Sequence, residues 1–283
     1  MKQIDLSAGT VDYHDTGGDG PVLVFISGLT IDGTVWRQVV ERLAPDFRCI
    51  LPTLPLGAHR IPMHEDADLS LRGLGLLIGE FLERLDLADV TLVQNDWGGA
   101  QVLIALGDTS RVAALVLTPC EAFDNYPPGI PGRAIGVAVA IPGGLALTMQ
   151  ALRFRAMRRA PAAWGWMSKR PIPKPVMDGW FRPATTDRRV RRDLRKYTTS
   201  LPPKSTLLDW AEANRSFDRP VLVLWAVEDK VMPRDHGRRL AELYPHAQLR
   251  EVEDSYTLMP EDRPDVVAEA IRSFAASPPV STS

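Results

Sequence analysis

Cysteine is nearly absent: the 283 residues include two, Cys49 and Cys120. Two thiols make no disulfide framework and no thiolate metal cluster. Both lie in or beside apolar, strand-like runs, where a free thiol packs as a small hydrophobe. An excess of one charge is also missing. Thirty-three Lys and Arg stand against 35 Asp and Glu, a formal net charge of −2, which excludes a globally basic nucleic-acid binder. No apolar run reaches the roughly 18 residues of a membrane-spanning helix. The opening MKQIDLSAGT lacks the apolar stretch of a secretory signal peptide. A soluble, cytoplasmic chain is the expectation. Histidine numbers only five. There is no H-x-x-x-H pair and no C-x-x-C, so no metal site is expected. Neither a G-x-x-x-x-G-K-S/T phosphate loop nor a G-x-G-x-x-G turn follows the early strands, so no nucleotide cofactor is expected.

What the chain does contain is an alternation. Short apolar runs at 21–27 (PVLVFIS), 47–55 (FRCILPTLP), 89–95 (DVTLVQN), 112–120 (VAALVLTPC), 220–226 (PVLVLWA) and 247–253 (AQLREVE) read as strands. Between them lie amphipathic helical stretches, among them TVWRQVVERLA and LRGLGLLIGEFLERLDL, with apolar residues at spacings of three and four. Strands that are apolar throughout and alternate with helices predict an α/β protein with a mostly parallel central sheet covered on both faces.

The pattern breaks after Phe123. Residues 124–215 show no clear strand and are rich in Pro, Trp and Arg. The segment is longer than an ordinary loop. The reading is a core of residues 1–123 and 216–276, an inserted helical cap at 124–215, and a flexible tail at 277–283. The insertion is basic, with 15 Arg and Lys and three Asp between Arg133 and Tyr197, which leaves the remainder acidic. Solvated helix faces explain such charge; so does attraction of an anionic substrate, partner or membrane surface. Within it, AIGVAVAIPGGLAL is apolar but broken by Pro142, Gly143 and Gly144. It suits a pocket lining or a membrane interface, and the pocket is favoured. Trp164, Trp166, Trp180 and Phe181 suit either pocket lining or cap core.

The stretch VTLVQNDWGGA carries the chemistry. A strand runs into Asp96, then Trp97, Gly98 and Gly99, then a helix. This is the layout of a nucleophile elbow, whose tight turn lifts the apex side chain above the sheet edge. A carboxylate at the apex sits at a helix N-terminus, where negative charge is favoured. It can attack carbon and form an ester. The plainer alternative is an N-cap aspartate.

With these residues the chain resembles the α/β-hydrolase fold over nearly its whole length. VQNDWGGA is similar to the elbow of the haloalkane dehalogenase and epoxide hydrolase branch, which uses an Asp nucleophile. The resemblance implies that PVLVLWAVEDKVMP delivers the acid of a triad at Asp229, and that the insertion is a helical cap closing over the pocket. It also implies a small-molecule substrate and no organic cofactor. Leu29, after Ser27-Gly28, and Trp97 inherit the oxyanion-hole role through their backbone N–H groups. The sequence departs from the family where it matters most. The family's D-x-G-H-F segment is matched by Asp254-Ser255-Tyr256-Thr257-Leu258, so Thr257 stands where the catalytic His is expected. The usual His before the nucleophile is Asn95, and Leu29 replaces an Asn that holds halide in one dehalogenase group.

Three histidines are candidate replacement bases. His236 opens the helix after Asp229 and reads as a solvated surface residue. His59 and His64 follow the 47–55 strand on a loop near the expected pocket rim. Thr257 has no useful basicity at neutral pH, so an ester on Asp96 would not be hydrolysed by the usual route. Asp96 and Asp229, facing one cavity with no cation between them, would favour a neutral acid. The expectation is an enzyme acting on a small, mostly apolar substrate, with Asp96 as nucleophile or acid–base group. A non-catalytic ligand-binding or interaction protein, and a cofactor-free lyase or isomerase, are the alternatives. Oligomeric state is not legible.

Overall fold

In a computed structural model, which describes residues 1–161 and 163–275, eight strands form one sheet in the order β1-β2-β4-β3-β5-β6-β7-β8. The strands are β1 (Lys2–Leu6), β2 (Gly9–Asp15), β3 (Val22–Ile26), β4 (Arg48–Pro52), β5 (Val90–Asp96), β6 (Val112–Cys120), β7 (Val221–Ala226) and β8 (Ala247–Val252). The β1–β2 and β2–β4 pairs are antiparallel. All later pairs are parallel. The central strands are buried along nearly every position; Leu23, Val24, Phe25 and Ile26 expose nothing. Such strands need cover on both faces, and two separate helix pairs supply it. One is α1 (Arg37–Leu43) with α12 (Pro264–Ala275); the other is α2 (Leu71–Arg84) with α3 (Ala100–Ala105). Ser70 caps α2 by accepting from Gly73 N–H at 3.0 Å. The α10 helix (Arg234–Leu243) packs on β7 and β8, and α11 (Met259–Asp262) is one short turn.

Between β6 and β7 the chain forms α4 (Gly129–Ala140), α5 (Gly144–Ala151), α6 (Arg155–Arg158), α7 (Lys174–Thr186), α8 (Arg188–Thr199) and α9 (Lys204–Ala213), with no strand among the described residues. Pairing of α4 with α5 and α8, and of α7 with α5 and α8, makes this a small helical layer of its own. The α9 helix returns to pack on α3. In α8 the buried residues are Val190, Asp193, Leu194, Tyr197 and Thr198, a spacing that puts one face inward. Arg188, Arg189 and Arg195 are exposed on the other side, while Arg191 and Arg192 are half-buried at the edge of the packed face. The expected tail at 277–283 lies outside the described residues.

Candidate active site

Asp96 closes β5 with a φ of 55°. That left-handed conformation costs a non-glycine residue roughly 1 kcal/mol or more, and tight neighbours hold it there. A Cβ at Gly28 would stand 2.1 Å from Asp96 Oδ2, and one at Gly98 would stand 2.7 Å from Ile26 Cγ2. Gly99 has a φ of +78° immediately before α3. Glycine is thus demanded on both sides of the turn by close approach and by backbone conformation.

The carboxylate is 2% exposed. Leu29 N–H donates to Asp96 Oδ2 at 3.1 Å, and the Trp97 N–H also bonds the carboxylate. The two N–H groups expected to serve an oxyanion thus both contact Asp96. Burial pushes the Asp96 pKa up to about 7; the Trp97 and Leu29 N–H groups oppose the rise, and the charge of Asp229 adds to it.

Asp229 lies three residues beyond β7. Its Oδ1 accepts from Val231 N–H at 2.7 Å, Met232 N–H at 3.0 Å and the Thr257 hydroxyl at 2.9 Å. Its Oδ2 is buried with no partner among the described residues. Burial raises this group to about 6 against those three donors. Thr257 is fully buried, and Asn95 Nδ2 donates to its carbonyl at 2.7 Å. The same amide reaches Thr118 Oγ1 at 2.9 Å and Pro119 O at 3.1 Å. Asn95 therefore ties the Thr257 loop to the end of β6.

Asp96, Leu29 and Trp97 border a cavity of about 140 Å³ whose other walls include Ile135, Leu152 and Trp164. The wall is mostly apolar, as suits a small organic ligand. The stretch AIGVAVAIPGGLAL contributes Ala134, Ile135 and, just beyond it, Thr148. Of the four aromatic candidates, Trp164 lines the cavity. Phe181 stacks edge-on against Trp164 at 4.7 Å between ring centres. Trp180 is fully buried and donates to Thr34 Oγ1 at 2.8 Å. Trp166 faces Lys230.

None of the three candidate histidines borders this cavity. His59 is buried elsewhere: Gly57 N–H donates to its Nδ1 at 3.2 Å, which leaves Nε2–H to donate to Asp193 Oδ2 at 3.2 Å. His64 is exposed on the same loop. The expectation of a solvated His236 is corrected. It is 5% exposed, edge-on to Phe123 at 5.3 Å, and burial lowers its pKa. The cause is the tight packing of α10 on β7, where a Cβ at Gly237 would stand 2.4 Å from Trp225 Cγ.

One acid near the site went unread in the sequence. Glu121, one residue past β6, accepts from Gly99 N–H at 2.9 Å through Oε1, while its Oε2 is buried without a partner among the described residues. Burial pushes it up to about 8, against the Gly99 bond and with help from the Asp96 charge. Its signal was positional. Like Asp96 and Asp229, it sits at the carboxyl end of a parallel strand, where α/β sheets bind ligands. Among the described residues no cluster of His, Cys, Asp and Glu is arranged to hold a metal ion.

The model of the alpha/beta hydrolase family matches residues 23–270. A haloalkane dehalogenase of Mesorhizobium japonicum is 30% identical over 148 residues, covering 50% of this chain and 47% of that protein. The chain thus matches about half the length of that relative. A cis-3-alkyl-4-alkyloxetan-2-one decarboxylase of Xanthomonas campestris is 26% identical over a 298-residue alignment, covering 99% of this chain and 97% of that protein. Among solved structures, a loop variant of a haloalkane dehalogenase from Bradyrhizobium elkanii shares the fold at a TM-score of 0.76 and 18% identity, over 97% of this chain and 95% of that one.

Proposed function

The chain belongs to the alpha/beta hydrolase family, and from that premise we propose that it is an enzyme whose Asp96 carboxylate attacks a small, mostly apolar electrophile. The observation that supports this most is the setting of Asp96: a strained apex, two backbone N–H donors, and an apolar cavity at its face. Fixed donors of this kind hold one carboxylate oxygen in place and stabilise charge as it shifts during attack.

The exit step is where this chain differs from a hydrolase with a complete triad. Thr257, donating to Asp229, takes no proton from water at neutral pH. The ester on Asp96 therefore leaves by a route that needs no activated water. The reaction named for the Xanthomonas relative has that character. In a 3,4-dialkyl oxetan-2-one, an Asp96 oxygen attacks C4, the alkyl-bearing ring carbon bonded to the ring oxygen. The carbon–oxygen bond breaks, and the ring opens to a carboxylate on the neighbouring carbon, with Asp96 now esterified. The bond to that carboxylate then breaks, its electron pair forms a carbon–carbon double bond, and the Asp96–carbon bond breaks. The products are an alkene and carbon dioxide, and Asp96 is ionised again. No water enters and no net proton moves. Asp229 holds the Thr257 loop, and its negative charge adds to the burial that keeps Asp96 basic.

The test joins turnover with intact mass. A dialkyl β-lactone is expected to yield alkene and carbon dioxide with the native chain and nothing with Asp96→Asn. Haloalkanes or epoxides, which cannot lose carbon dioxide, are expected to leave a stable adduct on the native chain alone. Steady conversion of a haloalkane to its alcohol would overturn the water-free exit. Saturable lactone binding without conversion, equal in Asp96→Asn, would assign the cavity to ligand capture instead.

A further inference from the structure

The segment from Asn125 to Met177 contains eight Arg and Lys and no Asp or Glu. It forms α4, α5 and α6, and these helices have two unlike faces. One looks inward: Ile135, Val139, Leu145, Met149 and Leu152 are buried, and Ile135, Thr148 and Leu152 line the Asp96 cavity. The other looks out, and it is apolar as well. Val137 is 63% exposed, Ile141 53%, Leu147 73% and Phe154 68%. The α4–α5 turn, from Ile141 through Gly143, is exposed at every residue. Arg133 precedes these side chains in the sequence, Arg153 and Arg155 bracket Phe154, and Arg159 follows. Arg133, Arg155 and Arg159 have no carboxylate partner among the described residues.

We propose that this outward face of α4–α6 docks on an anionic lipid bilayer. Large apolar side chains flanked by unpaired arginines are the composition of an interfacial helix, which inserts its apolar residues at the headgroup boundary while the cations meet lipid phosphates. No helix of the described residues is long and apolar enough to cross a membrane, so contact is at the surface. A second copy of this chain is the poorer occupant. A two-fold interface sets a patch against itself, and here that would bring two net-basic patches together. A bilayer also needs no matching shape, which suits an exposed helical turn. Docking there would leave the inner face of the same helices over the cavity, within reach of apolar molecules dissolved in lipid. The surface stands on its own composition, independent of how Asp96 reacts.

Flotation of the full chain tests it, with vesicles of phosphatidylglycerol mixed into phosphatidylcholine and with phosphatidylcholine alone. The chain is expected to float with the anionic vesicles, to lose that binding as salt rises, and to stay behind with the neutral ones. Each of Arg155→Glu and Arg159→Glu is expected to weaken partitioning about fivefold or more. Leu147→Ser with Phe154→Ser is expected to weaken it about tenfold or more. All four positions are exposed, so melting curves should match the parent and separate lost docking from lost folding. Absence of flotation with anionic vesicles would overturn the proposal, as would binding unchanged in both sets of variants. A concentration-dependent doubling of mass that Phe154→Ser abolishes would overturn it too, assigning the face to self-association.

Discussion

Asp96 and Asp193 are both shut away from water, 2% and 0% exposed, yet the first is held near neutrality and the second stays acidic. The difference lies in donors. Asp96 has backbone N–H groups on one side and an apolar cavity on the other. Asp193 joins α8 to the loop before α2 with its bonding capacity filled. Oδ2 accepts from His59 Nε2 at 3.2 Å and Met63 N–H at 2.8 Å, and Oδ1 accepts from Arg192 Nε at 2.9 Å. Burial pushes Asp193 up too, but those donors together outweigh it and hold the carboxyl below its usual value. Burial alone therefore does not identify a reacting acid. A buried carboxylate short of donors and bordering a cavity is a candidate for chemistry; one saturated by donors is a fastener.

The largest effect should come from exchanging the acid that is short of donors. Asp96→Asn removes the attacking oxygen, and turnover is expected to fall by about 10⁴-fold or more, as when a covalent nucleophile is lost. Steady-state rates on a dialkyl β-lactone measure it, with unchanged circular dichroism as the control. The saturated acid should respond in the other currency. Asp193→Ala strands His59, the Met63 N–H and Arg192, and a loss of about 3 kcal/mol is expected, the range for breaking a buried charged pair. Urea denaturation reads that loss directly. A stability change within error at Asp193, or lactone turnover surviving in Asp96→Asn, would collapse the contrast between the two sites.

The same contrast shows what the sequence could and could not convey. Asp96 was legible because a strand, an acid and two glycines in sequence form a local motif. Asp193 was not, because its partners His59 and Met63 lie more than a hundred residues away and no spacing announces them. The parallel strands were legible as apolar runs. The β1–β2 hairpin was not, since an edge pair with the exposed pattern of Lys2–Leu6 mixes polar and apolar residues and gives little periodic signal. The burial of His236 differs from the sequence expectation even though the pattern that shows it is present. His236, Leu240 and Leu243 recur at four and three residues, and all three are buried. The helix period puts that histidine on the packed face, while its place at the opening of the helix suggests solvent. Glu121 sits alone after a strand, and a single acid without a following glycine pair carries no motif.

Thr257→His sharpens the comparison from the opposite direction by supplying Asp229 with the imidazole partner it lacks. In the native chain an adduct formed by a haloalkane on Asp96 is expected to persist. In the variant, an imidazole beside Asp229 can activate water, and release of alcohol is expected to speed up by about 100-fold, the low end of general-base assistance. Time-resolved intact mass follows the decay. Thr257 is fully buried, so the larger ring is also expected to cost about 1–3 kcal/mol of stability. An adduct equally persistent in the variant would mean that Thr257 is not what prevents hydrolysis.

The smallest effect is a matter of sign. Asp96 has an ordinary value of 3.8 and is raised to about 7 in the folded chain. Below 3.8 both folded and unfolded states hold the proton and nothing is lost. Between 3.8 and about 7 the unfolded state releases it while the folded state keeps it, so stability falls as pH rises. Above about 7 the deficit is complete. Asp96→Asn escapes that penalty and is expected to be more stable than the parent above neutrality, with the gain shrinking to nothing toward the ordinary aspartate value. Asp193 runs the other way. Its folded value is lowered, so its contribution is present above 3.8 and disappears as pH falls through the folded value. Asp193→Asn is therefore expected to lose stability at neutral pH and to approach the parent in acid. Urea denaturation of both variants across this range separates the two sites by slope alone. A gain in Asp96→Asn that does not vary with pH would mean that the folded value of Asp96 is unshifted and that its donors already balance its burial.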